Sequence, residues 1–366
     1  MRLGLNGRFY GVRVTGVQRF AHEMSARLLE REEVVLLLPA TAPLPAGLPG
    51  RVRVVRGRLT GHAWEQLELP RQARAAGCDV VLNLSGTAPG WGGPHLVVVY
   101  DLTPLTHPHW FTPAFRAWFR LALGRTAQRA AGVVAISRWT RAELERVLAV
   151  PAGRVRVVSQ GLAPFERPAD TEAVHAARRR RDLPGPYLLA LGGRSARKNL
   201  AFLLEVLARW RERGPRPPPL VVVGEEYAHL HTRAAGDGRA GAEVRFVGHV
   251  DDAELHALYT GAAAFCFPSL AEGFGRPPLE AMACGTPALA ADYGAAAEVL
   301  GDAALVLPLQ PDAWIDALAR LLHDDAERDR LCARGRAHSE RFRWEAAADE
   351  LWEACREAAR RPGAAR

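Results

Sequence analysis

The sequence contains no run of 18 or more apolar residues, so it predicts no helix that crosses a bilayer. At its N-terminus, Gly4 and charged residues precede any apolar stretch long enough for a secretion signal, and we therefore expect a cytoplasmic protein. The five cysteines are odd in number and form no Cys-x-x-Cys pair, which indicates buried free thiols. No Asp-x-Asp motif or cluster of His and Asp ligands is present, so we expect no metal and no other cofactor.

Lysine is almost absent. Of 48 basic residues, Lys198 alone is lysine, whereas the sequence has many Ala, Gly, Pro and Arg residues, as a GC-rich coding bias would produce. A site built for a compact ammonium can reject a planar guanidinium, so Lys198 is a candidate functional residue; chance survival is the alternative. The net charge of +8 is compatible with nucleic acid, anionic lipid or a phosphorylated ligand. Because the arginines are scattered rather than gathered in a stripe with aromatic residues, we expect no nucleic-acid partner.

Short β-branched runs alternate with helical patterns, which predicts α/β architecture with two doubly wound parallel sheets. The Pro-rich and Arg-rich stretch from Gly161 to Pro186 indicates a linker. We therefore predict an N-terminal domain over residues 1–168, a second domain over 169–343, and a terminal helix over 344–366. The predicted strands are Leu3–Asn6, Val34–Pro39, Val52–Val55, Val80–Leu84, Leu96–Tyr100, Val133–Ile136, Val155–Val158, Tyr187–Leu191, Leu220–Val223, Val244–Val247, Ala264–Phe267, Ala288–Ala290 and Ala304–Leu307.

The segment from Phe267 to Pro287 has the pattern of a strand, a glycine-rich loop and a helix. Pro277 suits the first turn of that helix, and Gly285 suits its end. The loop would present the amides of its three central residues near a positive helix terminus, which suits an anionic phosphate. These residues are Gly273, Phe274 and Gly275.

Two carboxylates flank this loop. Glu272 lies on the loop and Glu280 about one turn into the helix, so both are placed to face one pocket. Ionised carboxylates accept hydrogen bonds from sugar hydroxyls. The alternative is that Glu272 is a loop charge and Glu280 a solvated helix residue.

A second constellation lies between Leu191 and Leu200, where a strand is followed by a basic loop. Lys198 then lies near the carboxyl end of the strand, and Ser195 or Asn199 is placed to cap the next helix. An ordinary basic surface loop is the alternative interpretation.

The first of these segments resembles the signature of retaining glycosyltransferases of the GT-B fold, especially glycosyltransferase family 4. The shared pattern is Pro-Ser-x-x-Glu-Gly-Phe-Gly-x-Pro-x-x-Glu-Ala-Met-Ala, which starts at Pro268. The resemblance implies two Rossmann-like domains that face each other across a cleft, with the C-terminal helix crossing back to the first domain. It also implies that Glu272 holds the donor sugar, that Glu280 holds the nucleotide ribose, and that the amides of residues 273–275 face the donor.

The resemblance extends over nearly the whole chain. The basic loop is similar to the family's Arg-Lys-Asn-Leu loop, which implies that Lys198 and Arg194 neutralise the donor diphosphate; Arg194 stands one position later than usual. Gly16 lies in a stretch similar to the family's entry into the first helix and is expected to let the loop approach the phosphates. Asp101 is a candidate for binding donor or acceptor hydroxyls or, alternatively, caps a turn. Tyr100 stands where the family usually has histidine.

These features predict an enzyme, a metal-independent hexosyltransferase with catalytic residues Glu272, Lys198 and Asp101. Its substrates would be a nucleotide-diphosphate sugar and a glycan or lipid-linked acceptor, and the basic loop favours mannose from GDP-mannose by analogy. The alternatives are a sugar-nucleotide epimerase of the same fold and a non-catalytic sugar-nucleotide-binding protein. The run Arg178–Arg181 is either a solvated helix face or a peripheral contact with the inner face of an anionic membrane.

Overall fold

The apolar runs of the sequence form short parallel strands because such runs can be buried on both faces of a sheet. The computed structural model describes residues 1–162, 164–192, 196–214, 216–224 and 244–361. Within these residues the strands are β1 Leu3–Asn6, β2 Val34–Leu38, β3 Arg53–Arg56, β4 Val80–Asn83, β5 His95–Val99, β6 Gly132–Ala135, β7 Val155–Val157, β8 Leu188–Leu191, β9 Leu220–Val223, β10 Val244–Gly248, β11 Ala264–Phe267, β12 Ala288–Ala291 and β13 Leu305–Leu307.

The strands form two separate parallel sheets. The first has the order β3-β2-β1-β4-β5-β6-β7, and the second has the order β10-β9-β8-β11-β12-β13. In each sheet the chain runs outward in one direction and then returns to the middle to run outward in the other. The reversal falls between β1 and β4 in the first sheet and between β8 and β11 in the second. Ligands of doubly wound sheets bind beyond the carboxyl ends of strands at this switch point.

Helices connect the strands. Those of the described residues are α1 Gly16–Leu29, α2 Gly61–Leu67, α3 Leu69–Ala75, α4 Thr103–Thr106, α5 Pro113–Arg129, α6 Arg138–Leu148, α7 Thr171–Arg180, α8 Leu200–Arg213, α9 Asp252–Gly261, α10 Arg276–Ala283, α11 Ala296–Leu300, α12 Pro311–His323, α13 Asp325–Ser339 and α14 Trp344–Arg360. Short 3-10 turns cover Arg8–Gly11, Pro108–Trp110, Ala152–Arg154 and Ala196–Lys198.

The helical periodicity of the sequence from Trp64 to Ala76 predicts a single helix. The structure divides this stretch at Glu68, which ends α2 and begins α3. Pro70 explains the division, because proline has no N–H and its ring clashes with the carbonyl four residues earlier, that of Gln66. That freed carbonyl accepts a hydrogen bond from the indole Nε1 of Trp91 at 2.7 Å.

The chain divides into two compact units: Met1–Gly161 together with the segment from Arg343 onward, and Leu162–Phe342. The first boundary therefore falls after Gly161, whereas the sequence analysis had placed it after Pro168. Residues after Gly161 join the second unit because the buried ring of Phe165 packs edge-on against Tyr259 and His256.

Helix α14 completes the first unit, where it contacts α1 and strands β4, β5 and β6. Its first residue, Trp344, is fully buried and packs against Phe20 at 5.8 Å between ring centroids. A Cβ on Gly161 would lie 2.4 Å from the Trp344 ring, so any larger residue at position 161 would clash with the indole.

The helices of the described part of the chain include none that is long and apolar enough to cross a membrane. The run Arg178–Arg181 at the end of α7 has local partners throughout. Arg180 and Arg181 pair with Glu254, and Arg179 pairs with Glu172. The guanidinium of Arg178 donates to the carbonyls of Leu183 and Gly185. These contacts favour the interpretation of the run as an ordinary helix face.

Candidate donor site

The switch point of the second sheet brings together the two loops that the sequence had singled out. Strand β8 precedes the basic loop and strand β11 precedes the glycine loop, and the two strands are neighbours in the sheet. The backbone N–H of Leu270 donates to the carbonyl of Arg197 at 2.9 Å, which fixes one loop to the other.

Three donors from the described residues hold Glu272 at the junction of these loops. Its Oε1 accepts from Lys198 Nζ at 2.8 Å and from Ser269 Oγ at 3.0 Å. Its Oε2 accepts from Arg197 Nη1 at 2.6 Å. The Glu272 side chain is only 11% exposed, so most of this network is shielded from water.

The charge of Glu272 is maintained by its neighbours. Burial alone would raise the pKa of the carboxyl group, but the charges of Lys198 and Arg197 and the hydrogen bonds from Lys198 and Ser269 together lower the pKa of Glu272 below its usual value. Glu272 is therefore an ionised acceptor over the physiological pH range.

Lys198 sits in a surrounding that suits a compact ammonium. Its Nζ lies 4.8 Å from the centroid of the Phe267 ring while it pairs with Glu272. A cation over an aromatic face gains electrostatic attraction from the ring. The sequence did not indicate Arg197 as a site residue, because nothing in its local pattern distinguishes it from the other arginines; its place between Arg194 and Lys198 was the available signal.

The glycine loop is shaped by close packing against Tyr293. Gly275 has φ +88°, and a Cβ there would lie 2.1 Å from Tyr293 Oη. That hydroxyl donates to the carbonyl of Phe274 at 3.2 Å, and Phe274 is 5% exposed. Helix α10 starts at the next residue, Arg276, so the loop leads directly to a helix N-terminus. Gly273 precedes this turn and is buried.

Glu280 belongs to a second network in the same unit. Its Oε1 accepts from Arg276 Nη2 at 2.6 Å, and its Oε2 accepts from Tyr259 Oη at 3.0 Å. Glu280 is 6% exposed, so it is not the solvated helix residue that was the alternative. A carboxylate has about four lone-pair positions, and two further ligand hydroxyls are within its capacity.

Gly16 and Asp101 lie in the first unit. Gly16 is the first residue of α1, and a Cβ there would meet no described atom within 4 Å. Asp101 Oδ1 accepts from the backbone N–H of Thr103 at 2.9 Å, which is the turn-capping arrangement named as the alternative. Its second carboxylate oxygen is left for other partners.

The hydroxyl of Tyr100 forms its hydrogen bond within the first unit. Its hydroxyl donates to the carbonyl of Leu84 at 2.7 Å, and burial raises the pKa of Tyr100 well above its usual value. The phenol is thus a structural link between β5 and the end of β4. Arg194 lies outside the described residues, as do Gly193 and Ser195.

No group of three or more His, Cys, Asp or Glu side chains within the described ranges is arranged to hold a metal ion. Among the described residues, Lys198 and Arg197 form ion pairs with Glu272.

The two glycines make a paired prediction. Gly275→Ala should lower the free energy of unfolding by about 2 kcal/mol or more, because it combines a strained φ with a clash against Tyr293. Gly16→Ala should leave the free energy of unfolding unchanged or raise it by about 0.5 kcal/mol, because the new methyl meets open space. Urea titration checks both. Equal destabilisation by the two substitutions would contradict the packing described for Gly275.

The two doubly wound sheets, each built from parallel strands with helices between them, have the architecture of the GT-B class, and the fold of solved glycosyltransferases agrees with it. The chain belongs to the family described as glycosyl transferases group 1, which matches residues 174–338; the family described as Glycosyltransferase Family 4 matches residues 14–166. The fold predicted from the sequence, with two Rossmann-like domains, is confirmed, as is the family.

Among curated relatives, D-inositol 3-phosphate glycosyltransferase of Salinispora tropica is 32% identical, and the match covers 92% of this chain and 80% of the relative. O-antigen chain mannosyltransferase B of Escherichia coli is 28% identical, and the match covers 67% of this chain and 66% of the relative. The match to the serotype-specific mannosyltransferase WbdA of Escherichia coli, at 29% identity, spans only 31% of that protein.

Solved structures agree on the fold. Sucrose-phosphate synthase from Thermosynechococcus elongatus has a TM-score of 0.73 at 21% identity, with 97% of this chain and 98% of that chain covered. WaaG, a glycosyltransferase involved in lipopolysaccharide biosynthesis, has a TM-score of 0.72 at 16% identity, with 97% of this chain and 99% of that chain covered.

Proposed function

We propose that this protein is a retaining, metal-independent glycosyltransferase that moves a hexose from a nucleotide-diphosphate sugar to a glycan or lipid-linked acceptor. The observation that carries the proposal is the ion pair of Lys198 with Glu272 at the switch point of the second sheet. Mannose from GDP-mannose is our choice of donor, because relatives of this chain include proteins named as mannosyltransferases of the O-antigen chain and of phosphatidyl-myo-inositol.

In this proposal the donor lies against the glycine loop. The amides of Gly273, Phe274 and Gly275 and the N-terminus of α10 meet the diphosphate. Glu272 accepts hydrogen bonds from sugar hydroxyls, and Glu280 accepts them from the ribose. Lys198 then keeps part of its contact with Glu272 and also contacts the leaving diphosphate, whose growing negative charge it stabilises.

Acceptor activation follows from the same arrangement. No protein nucleophile with an activating base is evident among the proposed donor-site residues, so we propose that the donor diphosphate itself removes the acceptor proton as the sugar–phosphate bond breaks. The product would keep the donor's anomeric configuration. Proton NMR of the product anomer tests this step, and an inverted product would refute it. Activity that is abolished by a chelator would refute metal independence.

The first experiment measures thermal shifts of the wild type and Glu280→Ala against GDP, UDP, ADP and their common sugar conjugates. A ligand that binds only the native state adds about 2.7 kcal/mol of stability at roughly 100 times its dissociation constant. We expect one base to give a clear shift in the wild type and no shift in Glu280→Ala, each compared with its own ligand-free melting temperature.

A matched control is Glu212→Ala, which removes an exposed glutamate from α8 and should keep the wild-type response. Absence of any nucleotide response in the wild type would refute the donor site. A nucleotide response without sugar transfer would favour the non-catalytic binding protein, and epimerised sugar nucleotide would favour the epimerase.

A further inference from the structure

Tyr293 lies in a third loop beside the candidate donor site, the loop that connects β12 to α11. Strand β12 ends at Ala291 and pairs in parallel with β11, so this loop leaves the sheet next to the glycine loop. A backbone bridge between Gly294 and Glu272 joins the two loops. Tyr293 is 2% exposed, so its phenol is buried against the glycine loop.

The hydroxyl of Tyr293 fixes the direction of one peptide group in the glycine loop. Its Oη donates to the carbonyl oxygen of Phe274 at 3.2 Å. In a planar trans peptide, the carbonyl and the N–H that follows it point in opposite directions. Because the Phe274 carbonyl is directed at the phenol, the N–H of Gly275 is directed away from it.

The N–H of Gly275 has no hydrogen-bond acceptor among the residues that the structure describes. Gly275 immediately precedes Arg276, the first residue of α10, so this N–H belongs to the positive end of the helix. Gly275 is buried, and buried backbone N–H groups are nearly always paired in folded proteins. An anionic ligand atom is the partner that this position favours.

The protonation state of Tyr293 suits this task. Burial raises the pKa of Tyr293 well above its usual value, and the nearby charges of Glu272 and Asp292 raise it further. The phenol therefore keeps its proton, and a neutral phenol has one hydrogen to donate. The Phe274 carbonyl receives it.

The ring of Tyr293 also connects the glycine loop to the surroundings of Lys198. It meets the Phe267 ring edge to face, at 5.4 Å between centroids and 86° between planes. The Nζ of Lys198 lies 4.8 Å from the centroid of that same Phe267 ring. One buried side chain thus contacts both the loop that carries the amides and the ring that supports the cation.

We infer that Tyr293 is a positioning residue for the donor diphosphate. Its hydroxyl holds the Phe274–Gly275 peptide so that the Gly275 N–H is presented to a phosphate oxygen, and its ring holds Phe267 in place beside Lys198. The inference rests on the proposed function for the identity of the ligand. It adds the residue that fixes the amide and the cation relative to each other.

The first test compares the wild type with Tyr293→Phe, which removes the hydroxyl and keeps the ring. Calorimetry measures the Kd of GDP, UDP and ADP, and saturation-transfer NMR follows guanosine, uridine and adenosine. We expect the diphosphate that the wild type binds best to bind about tenfold more weakly in Tyr293→Phe, the effect of losing one hydrogen bond to a charged group. Binding of the matching nucleoside should be unchanged, because it has no phosphate to meet the Gly275 N–H.

Tyr187→Phe is the matched control. Tyr187 is fully buried in the same unit, and its hydroxyl donates to the carbonyl of Leu258 at 2.7 Å. It precedes β8 and so lies at the amino end of that strand, away from the loops at the carboxyl ends. Each variant removes one buried hydrogen bond, so both should lower the free energy of unfolding, but only Tyr293→Phe should weaken diphosphate binding. If the two variants change diphosphate affinity equally, Tyr293 serves only the fold and the inference is wrong.

Tyr293→Leu tests the role of the ring through its coupling to Lys198. Leucine has no aromatic edge for Phe267, so the loss of diphosphate affinity caused by Lys198→Ala should be about threefold smaller in the Tyr293→Leu background than in the Tyr293→Phe background. Equal losses in the two backgrounds would overturn the role of the ring. Urea titration checks that each variant is folded, and Tyr293→Met, whose flexible side chain fills irregular gaps, takes the place of a leucine variant that is not.

The wild type separates failure of this inference from failure of the proposed function. If the wild type binds none of the three diphosphates, the donor site is refuted, and the inference with it. If the wild type binds one of them and Tyr293→Phe binds it equally well, only the role of Tyr293 is refuted.

Discussion

A Glu272→Gln variant is expected to lose about 10²–10³-fold in transfer rate, the effect of removing one preorganised charged contact from an active site. The uncharged amide accepts more weakly from sugar hydroxyls and leaves the charges of Lys198 and Arg197 without compensation. Because both cations were hydrogen-bonded to this carboxylate, we also expect the free energy of unfolding to fall by about 1–3 kcal/mol.

The stability effect of Glu272→Gln should depend on pH in a defined direction. The pKa of Glu272 is lower in the folded chain than its usual value of 4.5, so ionised Glu272 stabilises the fold fully above pH 4.5. That contribution is lost as the pH falls through the folded pKa. The difference in free energy of unfolding between wild type and variant should therefore be constant above about pH 5.5 and shrink below pH 4.5.

Urea titrations of both proteins from pH 3 to pH 7, with Glu212→Gln as an exposed control, measure this difference. Glu212 lies on the surface of α8, so its replacement should change neither transfer nor stability noticeably. If the difference in free energy of unfolding between the wild type and Glu272→Gln grows as the pH falls, the ion-pair network is contradicted.

A Lys198→Ala variant should lose about 10²–10³-fold in transfer rate, because it removes the cation that stabilises the leaving diphosphate. We expect Lys198→Arg to recover only a small part of the loss. The lysine Nζ is held between Glu272 Oε1 and the Phe267 ring, and a planar guanidinium cannot occupy both contacts in the same geometry.

The measurement is steady-state transfer with nucleotide release and glycan product followed separately. Arg211→Ala removes one exposed positive charge from α8 and controls for net charge. Full activity in Lys198→Arg would show that charge alone suffices, and the single lysine of the sequence would then be an accident of composition.

The strands could be predicted closely from the sequence because buried parallel strands are continuous apolar runs. Leu220–Val223 and Ala264–Phe267 have in the structure the bounds that their sequence implies. The break at Glu68 was missed because helical periodicity continues through it, and only the clash of Pro70 with the preceding turn divides the helix.

The juxtaposition of the two second-unit loops was predictable because each loop follows one of two neighbouring strands. Lys198 and Glu272 come from loops whose positions follow from the strand order, and the structure joins them. Arg197 was not predicted, because its importance arises from its contact with Glu272, a partner distant in sequence.

The discontinuity of the first unit has a consequence for synthesis. Residues up to Gly161 leave the ribosome first, but the buried side chains of Trp344, Leu351 and Cys355 come from α14, which follows the entire second unit. At roughly 5–20 residues per second, translation of Leu162–Phe342 takes on the order of 10–40 s. During that time the second unit can fold as a continuous segment, whereas the first keeps an uncovered apolar surface. The first unit is thus completed only after the second has been synthesised, and the newly made N-terminal segment is the part of the chain that chaperones have most time to bind.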